Sequence, residues 1–288
     1  MGAEATGQFG QPRIGQDWRA CSFGGCRKIR SDAMRKVLLI VSALIIGMCA
    51  GVWFLPVSLP VSKHPRFIDG PQVWAHRGSG GRRNPENSPE SISVAVAEGF
   101  RGVELDIFYL PGSDKIVVSH DYHEGEPENL MPPLDRFSFP ADLALWLDFK
   151  NLRRLSEDQI AKFAASYRRL QLPNEVFIES TAPEKLQLLD PELFQRVLWL
   201  SLPRQPGWDQ ISYLIHTKFQ SLLAGFDAVS FPKQQFDVVT PHFAGRSTFV
   251  FTVNDPKQVA KIWRSGQTAV ILTDLHRSAA LKHVRLDE

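Results

Sequence analysis

HRGSGGRRNPENSPESISVAVAEGFRGVELDIFYLPGSDKIVVSHD, residues 76–121, sets a series of polar groups against short apolar runs. Residues 73–75 lead into His76-Arg77-Gly78, residues 102–107 carry Glu104 and Asp106, and residues 115–118 lead into His120-Asp121. The β-branched and aromatic content of these runs reads as strand. Pro85-Glu86-Asn87-Ser88 reads as a loop closing on a helix start, with Ser88 as the cap and Pro89 at the first helical position. Pro111-Gly112-Ser113-Asp114 is turn chemistry, so residues 115–118 fold back on the strand before them as a hairpin.

Working outward, similar runs recur at residues 143–149, 175–179, 196–200, 227–230, 247–253 and 269–272, which with 73–75 and 102–107 makes eight. Helix starts fall between them at Ser156 with Gln159, at Thr181-Ala182-Pro183 and at Asp255-Pro256. Alternating strands and helices predict a (β/α)₈ TIM barrel over residues 72–288, with the hairpin after the second strand; such barrels typically run to about 250 residues. A doubly wound open sheet is the alternative. In a barrel, functional groups belong at the carboxyl ends of the strands. His76, Asp106, Lys150, Ser180 and Asp274 all fall there.

Glu104 and Asp106 are two apart in a strand, so their side chains share one face. Asp148 and Lys150 repeat that spacing on the next barrel strand. Three carboxylates make a hard, oxygen-rich site that suits a single divalent cation, Mg²⁺ or Ca²⁺, better than zinc. Arg77 and Lys150 would hold phosphate oxygens. His76 and His120 would divide the proton work between the attacking hydroxyl and the leaving alkoxide. Glu86, Asn87 and Asp121 stand in supporting positions. His64, His216, His242, His276 and His283 have no partner motif, and His123 opens a Glu-rich rim at residues 124–128. Trp74, Trp146 and Trp199 read as core or barrel packing, and Trp208 and Trp263 as helix-face residues.

In order, His76-Arg77-Gly78, Pro85-Glu86-Asn87-Ser88, Glu104-Leu105-Asp106, His120-Asp121 and Asp148-Phe149-Lys150 resemble the motif set of the glycerophosphodiester phosphodiesterase family. Weaker similarity continues to Thr252-Val253-Asn254-Asp255 and Thr273-Asp274. The resemblance implies a (β/α)₈ barrel, a divalent metal on Glu104, Asp106 and Asp148, catalytic histidines at His76 and His120, and phosphate contacts from Arg77 and Lys150. It further implies hydrolysis of an alcohol from a glycerol-phosphate diester, and the expected substrates are glycerophosphodiesters or related lysophospholipid and phospholipid diesters. Three positions depart from the family pattern. Asp148 stands where Glu is usual and is more similar to the sphingomyelinase D branch; Phe251 stands where Trp is common before Thr-Val-Asn; and residues 110–114 replace the usual Thr-Lys-Asp-Gly turn. Two other readings stay open: a non-catalytic barrel binding lipid head groups or phosphorylated polymers, and a phosphoinositide-type phospholipase C.

Composition bounds the partners. A net charge of +2, with 43% hydrophobic and 22% charged residues, describes an ordinary globular chain and argues against nucleic acid. Cys21, Cys26 and Cys49 all precede the barrel, so any metal there is held by oxygen and nitrogen. Residues 1–36 show no apolar period and are expected to be structureless. Residues 37–55, VLLIVSALIIGMCAGVWFL, carry no charge and at about 1.5 Å per residue just cross a hydrocarbon core of about 30 Å. Arg27, Lys28, Arg30, Arg35 and Lys36 precede this run, which by the positive-inside rule predicts a cytoplasmic N-terminus and a barrel outside the cytoplasm. An uncleaved anchor is the preferred reading and a cleaved signal the second, with Met34 as an alternative start. Residues 56–71, with Pro56, Pro60, Pro65 and Pro71, read as a stiff linker.

Overall fold

The computed structural model describes residues 23–54, 71–78, 85–122 and 131–284. It divides after Met48 into two compact units. The first centres on helix α1 (Phe23–Phe54), within which residues 34–51 are long and apolar enough to cross a membrane. This corrects one expectation, because residues 23–36 were read as structureless and those from Phe23 onward are helical. Arg, Lys and Met are good helix formers, and a helix nucleated in the apolar run propagates into them at little cost. Cys49 is a free thiol on this helix. The segments 1–22 and 55–70, His64 among them, and the rim at 123–130 with His123 lie outside the described residues.

The second unit is a closed barrel. Its parallel strands are β1 (Gln72–Ala75), β2 (Gly102–Leu110), β4 (Ala144–Phe149), β5 (Val176–Ser180), β6 (Gln195–Trp199), β7 (Ala228–Pro232), β8 (Ser247–Phe251) and β9 (Val270–Thr273). Each pairs with the next, β9 returns to β1, and Ala75 opposite Val103 closes the ring. The expected (β/α)₈ fold is therefore present, and the open sheet is excluded. β2 is nine residues long: its first part is barrel wall, and its last part, from Ile107, pairs antiparallel with β3 (Lys115–Val118) as the expected hairpin.

Helices follow the strands at the marked starts. α2 (Pro89–Ala97) is held by a capping box in which Ser88 and Ser91 exchange bonds, and α3 (Glu157–Leu170) by the same device between Ser156 and Gln159. α4 (Pro183–Leu186) and α7 (Pro256–Ser265) begin on their prolines, α7 with Asp255 as its cap. α5 (Trp208–Ala224), α6 (Phe236–Val239) and α8 (Arg277–Ala280) complete the set.

The strand period of two divides the core. On β2, Val103, Leu105 and Ile107 face the helices, and on β4 so do Leu145, Leu147 and Phe149. The opposite parity points into the barrel, where Trp74, Trp146, Phe177 and Phe249 form an aromatic floor of edge-to-face and tilted pairs, Trp146 and Phe249 having centroids 4.9 Å apart. Gly102 shares that inward parity, and a Cβ there would sit 2.2 Å from the Trp74 ring. The next inward positions on β2 are Glu104 and Asp106; after Trp146 comes Asp148, and after Phe177 comes Glu179. The fold thus stacks carboxylates on the aromatic floor.

Candidate active site

Glu104, Asp106 and Asp148 are buried, and one carboxylate oxygen from each lies within 4.8 Å of the others. They belong to adjacent strands in register, Asp106 opposite Asp148 and Asp148 opposite Glu179. Burial, with Asp106 and Asp148 as like-charged neighbours, pushes the Glu104 carboxyl up to about 8 despite the proximity of His76. The Asp148 carboxyl is also raised, by burial first, with Lys150 pulling the other way. A carboxylate cluster whose members resist ionising together is short of positive charge.

Two side-chain cations face this deficit. The Lys150 ammonium lies 2.6 Å from Asp106 Oδ1 and 2.5 Å from Asp148 Oδ2. Burial alone would lower its pKa, but the two carboxylates hold it well above the ordinary lysine range. Arg77 pairs through Nε with Asp106 at 3.0 Å and through Nη1 with the exposed Glu86 at 2.7 Å, so Glu86 orients the guanidinium from the solvent side.

The loop after β1 is built around that arginine. Arg77 takes a left-handed backbone (φ 51°), which turns its N–H to donate to Glu104 Oε2 at 2.8 Å. Its carbonyl accepts from the Asn87 N–H and from Ser91 Oγ, tying the His-Arg-Gly turn to the start of α2. Gly78 packs so close to α2 that a Cβ would lie 2.6 Å from Ser91 Oγ. Asn87, also at positive φ, donates through Nδ2 to Asp106 Oδ2 at 2.8 Å and accepts from the Asp106 N–H at 3.0 Å. This reciprocal pair fixes the carboxylate's rotamer.

His76 follows β1, and Asp274 follows β9. Because those strands are neighbours, Nδ1 of His76 lies 2.6 Å from Oδ1 of Asp274, while Nε2 turns toward Glu104 Oε2 at 3.9 Å. Burial pulls the imidazole pKa down, but the bond to Asp274 and the charge of Glu104 outweigh it, so the net shift is upward. Asp274 is shifted down by the same contact against its own burial. Asn254 holds Asp274 in place through two bonds, of 2.6 and 2.9 Å. His120 comes from the hairpin, where the Ser119 N–H donates to the Asp106 carbonyl, and its Nδ1 lies 2.9 Å from Asp121. Its side chain is 43% exposed.

All of the expected catalytic, metal and phosphate positions line one cavity of about 230 Å³, with Trp146, Trp199 and Phe251 on its wall. Glu86, Asn87 and Asp121 are not in its lining and touch it through Arg77, Asp106 and His120 respectively. Sequence reading missed Glu179, which lines the same cavity, is fully buried and accepts from Ser230 Oγ. Its carboxyl is pushed well above the usual range by burial first and by Asp148 second. Its signal was parity, since it is the inward residue of β5 level with Asp148. Asp274 is expected at a strand end and Asn254 in a weak late motif, but neither is assigned a role from the sequence. His276, read as partnerless, pairs with Glu98 away from the cavity.

A family model described as the glycerophosphoryl diester phosphodiesterase family matches residues 76–138, which bears out the resemblance read from the sequence. Solved structures with the same fold include a glycerophosphodiester phosphodiesterase from Parabacteroides distasonis, at 17% identity, covering 73% of this chain and 95% of that one with a TM-score of 0.54. A phosphodiesterase from Oleispira antarctica, in complex with the product sn-glycerol-3-phosphate, is 19% identical over 74% of this chain and 96% of its own, with a TM-score of 0.52. The glycerophosphodiester phosphodiesterase of Agrobacterium tumefaciens is 18% identical, over 73% and 99%, with a TM-score of 0.50. At these identities the likeness establishes the fold. No curated protein sequence matches the chain.

Proposed function

We propose that this chain is a metal-dependent phosphoric diester hydrolase acting on glycerophosphodiesters or on lysophospholipid diesters. The observation that carries the reading is the convergence of His76, His120, Arg77, Lys150 and three buried carboxylates on one cavity. The family match over residues 76–138 supports it.

The donor set suits a cation: three hard oxygen ligands, one of them raised to about 8 by burial and by its like-charged neighbours. Glu104, Asp106 and Asp148 would hold one Mg²⁺ or Ca²⁺. When bound, such an ion neutralises a non-bridging phosphate oxygen and the charge that builds on it. The protein's own groups do the rest. Arg77, held on its outer side by Glu86, presents a planar fork to phosphate, and Lys150 adds a point charge. Asp274 fixes the ring of His76 and supports its protonated form, leaving Nε2 toward the cavity. His120 approaches from the hairpin side, so the two imidazoles can serve opposite faces of the phosphorus: one takes a proton from the attacking hydroxyl, the other gives one to the departing alkoxide. The aromatic floor excludes water from below.

We further propose that α1 is a single-pass anchor with its basic flank in the cytoplasm, followed by a linker over residues 56–71 and a catalytic domain over residues 72–288 outside the cytoplasm. The full chain should release choline, ethanolamine or glycerol from a panel of glycerophosphodiesters and lysophospholipids with Mg²⁺ or Ca²⁺ and stop in EDTA. Asp148→Ala should abolish that release. His76→Ala and His120→Ala should each lower turnover by about 10²-fold or more. A folded, metal-binding protein that turns over no member of the panel would instead be a binding module.

A further inference from the structure

Helix α5 packs Tyr213, Leu214, Leu222 and Ala224 on the barrel core and turns a second apolar side outward. Its fully buried positions are Leu214, Thr217, Lys218 and Ser221, mostly polar, whereas Trp208 and Ile211 are exposed at 75% and 36%. Ile215 and Phe219 continue the same side half-exposed, at spacings of three, four and four residues. A Trp-Ile-Ile-Phe row at helical period forms one continuous apolar stripe. Isolated exposed apolar residues need no explanation, but a continuous row marks a contact surface.

The stripe begins on the strand-end face of the barrel, the face that holds the candidate active site. β6 ends at Trp199, whose ring lines the cavity and meets Phe251 at 5.3 Å. The connection out of β6 then runs directly into α5, with the Ser201 N–H donating to Tyr213 Oη and the Leu202 N–H to Gln235. Helix α5 therefore starts on the strand-end face, with Trp208 as its first residue and Arg204 exposed in the connection before it.

We propose that the Trp208–Ile211 end of α5 docks on a lipid bilayer and brings the cavity mouth to lipid-embedded diesters. The inference rests on the reading of α1 as a membrane anchor and of the cavity as a phosphodiesterase site. Three features select a bilayer as the occupant. The chain carries its own candidate span at residues 34–51. Seventeen residues, 55–71, separate that helix from β1 in the sequence, about 60 Å of chain at full extension. The stripe leads with Trp, an amphipathic ring that favours the headgroup boundary, followed by aliphatic residues that favour the acyl side. The surface thus commits the enzyme toward lysophospholipid rather than free glycerophosphodiester.

The full chain, reconstituted in phosphatidylcholine vesicles with brominated acyl chains, gives a readout independent of activity. Wild-type tryptophan emission should be quenched by the bromines to a greater extent than that of Trp208→Phe. With unbrominated vesicles, Trp208→Ala/Ile211→Ala should hydrolyse embedded lysophosphatidylcholine roughly fivefold more slowly, while soluble glycerophosphocholine stays within about twofold of wild type. Equal quenching in wild type and Trp208→Phe, or equal loss on both substrates, overturns the proposal. So does a concentration-dependent cross-linked dimer that the double variant loses, since the stripe would then belong to a second copy. If wild type hydrolyses neither substrate, the functional reading fails, and the quenching comparison still decides the docking.

Discussion

Nδ1 of His76 lies 2.6 Å from Oδ1 of Asp274, a contact between residues 198 positions apart that exists because the last barrel strand lies beside the first. Each partner shifts the other: the imidazole is raised and the carboxylate lowered. The stability held in the His76 shift is present below its ordinary value of 6.5 and lost as pH rises through its folded value. The share held in Asp274 is present above 3.8 and lost as pH falls through its folded value. Between those limits the pair contributes most.

Asp274→Asn should therefore let the His76 pKa fall and move the corresponding limb of the pH–rate profile to lower pH. Turnover at neutral pH should drop by roughly tenfold to a hundredfold, and melting should fall most between pH 3.8 and 6.5. A variant whose rate falls with no movement of the profile would show that Asp274 acts only in folding.

The raised Glu104 carboxyl sets a second dependence. The metal-free folded protein binds a proton there more tightly than the unfolded chain does, so this group lowers stability as pH rises from 4.5 toward about 8. Mg²⁺ or Ca²⁺ should cancel the loss, and binding between those limits should release protons. Melting curves in EDTA and in added metal across that range check the first, and calorimetry in buffers of different ionisation heat the second. Metal-insensitive melting would count against the carboxylate site.

Asn87→Ala removes both bonds that hold Asp106 and leaves the buried carboxylate free to turn. Metal affinity should fall by roughly 10- to 100-fold, as it does when partners behind a ligand are removed. Asn87→Asp, which keeps the shape but adds a charge against Asp106, should be worse. Isothermal titration of both variants tests the order.

Gly102→Ala places a Cβ 2.2 Å from the Trp74 ring, in a floor closed by Phe177 and Phe249. Overpacking of this kind costs about 1–3 kcal/mol. The variant should unfold at lower denaturant with an unchanged slope, and Trp74→Phe in the same chain should recover part of the loss.

The strands were legible because β-branched runs bounded by turn residues report themselves locally, and the motifs at their ends were legible because each spans only a few residues. Glu104 and Asp106 need nothing beyond the strand period to share a face. Asp274 and Glu179 are different. Asp274 meets His76 only through closure of the ring, and Glu179 joins the cavity only through the register between β4 and β5. The helical start at Phe23 was hidden because charged residues interrupt the apolar pattern without interrupting the backbone. The outward stripe of α5 was hidden because apolar spacing reveals a helix face but not which way it is turned.

Lys150 is lodged between Asp106 and Asp148. A cluster of inward acids would ordinarily oppose collapse of the chain until an ion arrived from solution. Here a lysine just past the end of the strand that carries Asp148 supplies a tethered counter-ion at no cost in translational freedom. The barrel can therefore close without an ion from solution, and a cation bound at the three carboxylates would have to displace a resident charge.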